Sequence, residues 1–409
     1  MARAIRTKLR TIRTTIRAIR AKIHILHSPL FKQIPLWEIT PDKGTFHKLS
    51  DEQRVEIKPS RYFGRSTSTT IKFRHIPFQW YAVIRSAVVY NPSWAITSGT
   101  ILWQQEVVAQ LPYSSAGYSI YFSAKNNVFR LQSHYALQEK LETAALIAHR
   151  TGFNYLHAFC EILPKIMMLD AIDPDKKIPA IIDTAVSPNI VALVVYFLKG
   201  RNHIVLPETH KLIVKNLYVF STPAYMPDDP HFLLSTGTIS PYYLQKLAKS
   251  FKIAPNQPIA LLFVSRSKYA QKYESRYLIR NVINHGLLED ELGKLGAEFF
   301  YPEEHSWQEQ REKFAAADRI VMVVGAACTN LIFCRPGTKV LLLANGHNPN
   351  YGFFSLMLDS LALDYAWLLG NATKEDIHSR FAITPEDLQK SLDWLMKGTA
   401  VWDGEIEVI

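Results

Sequence analysis

The rhythm of apolar and polar positions changes three times along the chain. Ile5, Leu9, Ile12, Ile16, Ile19, Ile23 and Leu26 recur at alternating steps of four and three, the spacing of one helical face. From Pro29 to about Thr151 come short β-type runs such as STTIKF, WYAVIRSAVVY and YSIYFSA, broken by Pro, Ser, Gly and Asn; they predict strands joined by long loops. Strand-like IPAIID, helix-like SPNIVALVVYFLKG, strand-like HIVLPE and strand-like KLIVKNLYVF follow, an alternation that predicts an α/β layer. The Pro-, Asp- and Ser-rich stretch Thr222 to Ser240 reads as a linker.

The C-terminal half alternates more plainly. IALLFVSR, a helix around Tyr277 to His285, AEFFYPEE, a helix around Trp307 to Ala317, RIVMVVGA, a helix from about Thr329, KVLLLA, a further helix and LDYAWLLG succeed one another. Apolar strands of this length between helices predict a parallel sheet covered on both faces, a Rossmann-like unit.

Composition adds two constraints. At 409 residues, 48% hydrophobic and 20% charged, the chain is an ordinary globular protein with room for two or three cores. Its most apolar window, IVALVVYFL from Ile190, is far too short to span a bilayer. Cys160, Cys328 and Cys334 are the only cysteines and lack ligand spacing, which predicts a reducing compartment with neither a disulfide framework nor structural zinc.

Charge sets the N-terminus apart. Eight basic residues and no acid lie in the first 22 positions, leaving +3 of the formal +11 for the remainder. A self-pairing coiled coil would repel itself there, so an anionic membrane surface is the expected partner of a basic amphipathic arm over residues 1–28. A mitochondrial presequence and a nonspecific nucleic-acid arm share the same pattern; the near-neutral body offers no specific nucleic-acid motif.

Candidate chemistry gathers at strand ends, where open α/β sheets bind ligands. IALLFV ends in Ser265-Arg266, and RIVMVV ends in Gly325-Ala326-Ala327-Cys328-Thr329-Asn330. Small residues at a helix start together with a guanidinium could hold a nucleotide diphosphate; each alone is as consistent with a solvated strand end and a tight helix start. In NYLHAFCEILPK, Asn154 suits a helix N-cap, and His157, Glu161 and Lys165 fall at four-residue steps on one face. Pro164 cannot donate to the carbonyl of Cys160, which predicts a kink or an end just past the glutamate. The histidine and glutamate are either a reactive pair or an interface hydrogen bond with no chemistry. Asp173-Pro174-Asp175 and Asp228-Asp229 read as surface turns before metal-binding pairs, and no His/Cys spacing predicts a metal site.

NYLHAFCEILPK, FVSRSKYAQKYESRYLIRN and FFYPEEHSWQEQREKFAAADRIVMVVGAACTNLIFCRPGTKVLLL, in that order, resemble glycosyltransferase family 61, whose members include xylan-decorating, O-linked N-acetylglucosamine-transferring and bacterial capsule-type enzymes. The resemblance covers roughly Gly152 to Gly370. It implies two Rossmann-like domains facing across a cleft (the GT-B arrangement), donor nucleotide in the C-terminal half, an inverting mechanism and no obligatory metal. Matched by position, Asn154, His157 and Glu161 fall on the family's Asn-Tyr-x-His-x-x-x-Glu helix and Arg266 on its Ser-Arg strand end. Gln310 falls on a glutamine before the nucleotide strand, Gly325, Ala326, Thr329 and Asn330 on its Gly-Ala-x-x-Thr-Asn turn, and Pro336-Gly337-Thr338 on its Pro-Gly-Thr. Met322, Val324 and Leu342 depart from glycine, histidine and glutamate in the family pattern.

The expectation is therefore an α/β protein with an arm at 1–28, an acceptor-side domain at 29–240 and a nucleotide-sugar domain at 241–409. His157 and Glu161 are its expected catalytic pair, supported in the cleft by Asn154 and Lys165. Ser265, Arg266, Gln310, Gly325, Ala326, Thr329 and Asn330 are its donor-binding set. The donor would be a nucleotide sugar, uridine diphosphate-linked, used without cofactor or metal, and the acceptor a polysaccharide or lipid-linked glycan at the cytoplasmic face of a membrane, as in capsule-type polysaccharide biosynthesis. The alternative is a noncatalytic nucleotide-sugar or glycan-binding subunit of a polysaccharide assembly complex.

Overall fold

A computed structural model describes residues 30–65, 69–70, 73–91, 94–104, 120–123, 128–131, 135–149, 152–183, 186–225, 237–266, 281–346, 351–372, 379–399, 402–405 and 407–408. The arm at 1–28, the Asp228-Asp229 pair and most of SRSKYAQKYESRYLIRN lie outside the described residues.

Two large sheets organise the molecule. In the first, strands His203–Leu206, Ala180–Asp183, Ala136–Leu146 and His210–Phe220 lie side by side and parallel. Trp80–Tyr90 then pairs antiparallel with His210–Phe220, and shorter strands from the first 131 residues extend that edge. In the second, Glu298–Phe300, Leu262–Val264, Arg319–Val323, Lys339–Asn345 and Asp364–Ala372 run parallel in that spatial order. Numbered along the chain this order is 2-1-3-4-5, the flavodoxin-like doubly wound arrangement, whose order reverses between the first and third strands.

The α/β class holds. Helices Leu163–Ile172, Pro188–Leu198, Pro241–Phe251, Trp307–Ala316 and Tyr351–Ser360 supply buried residues to one cluster that also takes Ala145, Ile182 and Phe220 from the first sheet and Val264, Ile320, Leu342 and Leu369 from the second. The two sheets thus share an apolar helix layer instead of each closing on its own. Helices His285–Lys294 and Pro385–Lys397 cover the other face of the second sheet, through Leu288, Leu292, Leu388 and Leu392. Met322, Val324 and Leu342 are all part of the shared apolar cluster.

Two elements differ from the sequence-based expectation. Arg61–Gly64, in the stretch assigned to the acceptor-side domain, pairs parallel with Trp367–Leu369 in the second sheet, its Phe63 fully buried there; an isolated four-residue strand has no periodicity that reveals its partner. The helix expected around Tyr277 to His285 lies mostly outside the described residues; a helix at His285–Lys294 follows it and buries Leu288 and Leu292, one turn apart. Pro164 does not end its helix. The chain is helical through residues 155–172, and the stretch Ala158–Ile162 widens to a π turn in which the Leu163 amide donates to the Ala158 carbonyl. One inserted residue absorbs the donor that proline lacks.

Among the described residues no helix is long and apolar enough to cross a membrane.

Candidate functional site

The helix that opens NYLHAFCEILPK begins because Asn154 accepts a hydrogen bond from the Leu156 amide at 2.9 Å, satisfying an otherwise orphan donor. Asn154 is thus a cap in this structure. From there the π turn sets His157 and Glu161 against each other, Nδ1 to Oε1 at 3.0 Å, and the second carboxylate oxygen of Glu161 accepts from Nδ1 of His149 at 2.8 Å. A glutamate 1% exposed therefore sits between two imidazoles.

Burial by itself would raise the Glu161 pKa. The His149 and His157 rings outweigh it and hold the carboxyl well below its usual range, so it stays an anion. His149, fully enclosed, has its own pKa pulled down by burial against the opposing pull of Glu161, and Lys165 adds a second push in the same downward direction. Lys165 is itself completely buried beside this cluster. Of the three paired groups, His157 is the most exposed, at 14% of its side chain.

His149 was not foreseen. It follows strand Ala136–Leu146, whose neighbours Ala180–Asp183 and His210–Phe220 flank it on opposite sides, which makes this the point where strand order reverses in the first sheet. The signal in the sequence was its place directly after the apolar run AALIA.

The second sheet reverses between Leu262–Val264 and Arg319–Val323, and the residues directly beyond those two strands are Ser265-Arg266 and Val324-Gly325. Nη1 of Arg266 donates to the Val324 carbonyl at 3.3 Å. A Cβ at Gly325 would stand 2.4 Å from that same nitrogen, so a side chain there would displace the guanidinium from this position. Ser265 is buried, its hydroxyl 3.1 Å from Nε2 of His285, whose Nδ1 lies 3.2 Å from Glu289.

A short helix, Ala326–Phe333, starts at Gly325. Thr329 bonds back to the Ala326 carbonyl at 2.7 Å. Asn330 donates to Gln310 at 2.7 Å, and Gln310 donates to the carbonyls of Pro302 and His305. Gln310 and Asn330 are buried. They therefore brace the loop before helix Trp307–Ala316 and turn their polar groups toward each other, away from solvent.

One further bond joins the two groups of candidates. The hydroxyl of Tyr155, one residue past the Asn154 cap, donates to Asn330 at 2.9 Å; burial pushes the tyrosine pKa up and keeps it a donor. The helix bearing His157 and Glu161 is in this way fastened to the segment that begins at Gly325 beside Arg266. The carboxylates of Asp173 and Asp175 do not act as a pair: Asp173 ties Arg201, a fully buried cation also held by Asp170, while Asp175 faces Lys177 at the surface. Among the described residues no group of three His, Cys, Asp or Glu is placed to hold a metal ion.

No curated protein matches the chain. The model of the family described as Glycosyltransferase 61 matches residues 155–341, from the tyrosine that reaches Asn330 to the strand following the Gly325 turn. Through that region, which holds the Glu161 cluster's helix and the Arg266 to Gly325 contact together, the chain is similar to the Glycosyltransferase 61 family.

Proposed function

We propose that the chain transfers a sugar from a nucleotide diphosphate donor to a glycan acceptor with inversion at the anomeric carbon. The observation that carries this is the Tyr155 to Asn330 bond, because it fastens a histidine and carboxylate helix to the strand ends that present Arg266 and Gly325. A displacement of this kind needs a base for the acceptor hydroxyl at one end and charge stabilisation for the departing diphosphate at the other.

Glu161, with both oxygens engaged by imidazoles, is the orienting group. It holds the Nδ1 proton of His157, which leaves Nε2 as the basic nitrogen, the logic of a carboxylate and histidine pair. As Nε2 takes the proton, the acceptor oxygen bonds to the anomeric carbon from one face and the diphosphate oxygen leaves from the other. The departing charge meets the Arg266 guanidinium and the amides that open helix Ala326–Phe333. Since the protein supplies that positive charge, the reading requires no metal ion. In this arrangement the two α/β halves present opposite ends of the reaction at one mouth, in the manner of GT-B enzymes. A uridine diphosphate sugar is the donor proposed, and the basic arm at 1–28 would keep the protein on an anionic inner membrane face near a membrane-bound acceptor.

The test is nucleotide release from a panel of uridine, guanosine, cytidine and thymidine diphosphate sugars, with and without oligosaccharide. Slow release from one donor, abolished in Arg266→Ala, is expected. Thermal stabilisation by a nucleotide sugar with no release from any of them overturns the enzymatic reading in favour of a binding subunit. For the arm, liposome flotation equal with and without residues 1–28 removes the membrane partner.

A further inference from the structure

The first sheet carries a concave bay that the transfer chemistry above does not use. Its volume is about 270 Å³, near the lower end of the roughly 300 to 1,000 Å³ common for small-molecule sites. Thr45, His47, Tyr81, Arg85, Asn216 and Tyr218 form its walls and Val83 its floor. These residues come from three neighbouring strands in fixed register, with His47 opposite Tyr81, Val83 opposite Tyr218 and Arg85 opposite Asn216.

The rings form a ladder across the strands. His47 stacks on Tyr81 at 4.5 Å and 10°, and Tyr81 lies 6.3 Å and 15° from Tyr218. Held by the sheet and by each other, they are rigid before any ligand arrives, which keeps the entropic cost of binding low. Stacked rings present their edges outward, so the bay offers two phenolic hydroxyls, an imidazole edge, an amide, a guanidinium and a threonine hydroxyl. None of the lining residues is a carboxylate. A ligand dense in hydroxyl groups, each both donor and acceptor, is the chemistry that satisfies such a lining.

Position adds the second argument. Side chains alternate across a sheet, and Tyr81 and Tyr218 pack against the same cluster that contains Ala145 and Ile147, on the side of the sheet facing the helix layer. Tyr218 lies opposite Val83 on one side and Ala145 on the other. The bay therefore opens one strand from the strand that leads to His149, on the face of the sheet where Glu161 sits.

We propose that this bay binds a one- or two-sugar stretch of the glycan acceptor, away from the reacting hydroxyl, and so measures the length of acceptor that the protein accepts. This rests on the reading of the chain as a glycosyltransferase.

The test is calorimetric titration of the full chain, without donor, with glucose- and uronate-based oligosaccharides of one to six units. Affinity that rises with length in the wild type and falls by about tenfold or more in Tyr81→Ala, Arg85→Ala and Asn216→Ala is the expected result. Arg85 is at the surface, so its variant reports on the bay even if Tyr81→Ala unfolds. Binding unchanged in folded variants, or absent in the wild type, overturns the proposal. Because donor is omitted, a failure here is separate from a failure of nucleotide release, which would sink the enzymatic reading instead.

Discussion

At the scale of single residues, the centre of the proposed site is a carboxylate that solvent does not reach. Glu161 contacts two histidines and lies in a completely buried neighbourhood with Lys165, so its charge acts on the imidazoles and not on water. Replacing it with glutamine keeps the shape and removes the anion. Single-turnover transfer by Glu161→Gln or His157→Ala is expected to fall by roughly 10²- to 10⁴-fold, the usual worth of general-base chemistry, with nucleotide affinity in a direct titration within a few fold of wild type. Equal transfer rates in both variants would take the pair out of the mechanism. Gly325→Ala separates the other end: its methyl group would meet Nη1 of Arg266, a flexible tip that can swing away. Nucleotide affinity should weaken while the melting temperature stays close to wild type.

Protonation at the same cluster has a definite sign. The folded-state pKa of His149 lies below its ordinary 6.5, so below that pH the unfolded chain binds more protons than the folded one. Its contribution to stability is complete above pH 6.5 and is lost as pH falls through the folded value. Glu161, also depressed, adds a loss that begins below its ordinary 4.5. Melting temperature followed from about pH 7.5 to 5.5 should fall more steeply in the wild type than in His149→Asn; parallel slopes would mean that His149 is not buried in its neutral form.

At the scale of elements, the π turn at Ala158–Ile162 is what aims both side chains. Pro164 leaves the Cys160 carbonyl without its usual partner, and the inserted residue re-registers the helix so that Glu161 reaches His149 as well as His157. Pro164→Ala restores a donor and permits the ordinary α register. The expected outcome is an unchanged or higher melting temperature together with at least a tenfold loss of transfer, since removing an interior proline favours the helix by up to about 3 kcal/mol. Full activity in that variant would show that the widened turn is dispensable. The same helix ends at the Asp173 and Arg201 contact, where burial of the cation explains why Asp173 is structural, while Asp175 of the same metal-like pair faces Lys177 at the surface.

At the scale of the whole molecule, the shared helix layer makes the halves interdependent. Buried residues from both sheets belong to one cluster, strand Arg61–Gly64 crosses into the second sheet, and Tyr155 bonds to Asn330. Calorimetry should therefore give one unfolding transition, not two. Tyr155→Phe should lower its midpoint, since it leaves the buried Asn330 oxygen without that donor at a cost of about 1–3 kcal/mol. Two resolved transitions would show that the halves fold independently.

Local periodicity was enough to reveal the parallel strands of the C-terminal half and the helix at Trp307–Ala316, the cap at Asn154, and the facing of His157 and Glu161, because each depends on residues within one or two turns of one another. The order of motifs was enough for the family resemblance. Tertiary structure alone brought His149 to Glu161, turned Gln310 and Asn330 into a brace, placed Arg61–Gly64 in the second sheet and set a π turn just before Pro164. Those outcomes depend on which surfaces meet at long range and on where a buried polar group finds its partner, and neither is written in the spacing of neighbouring residues.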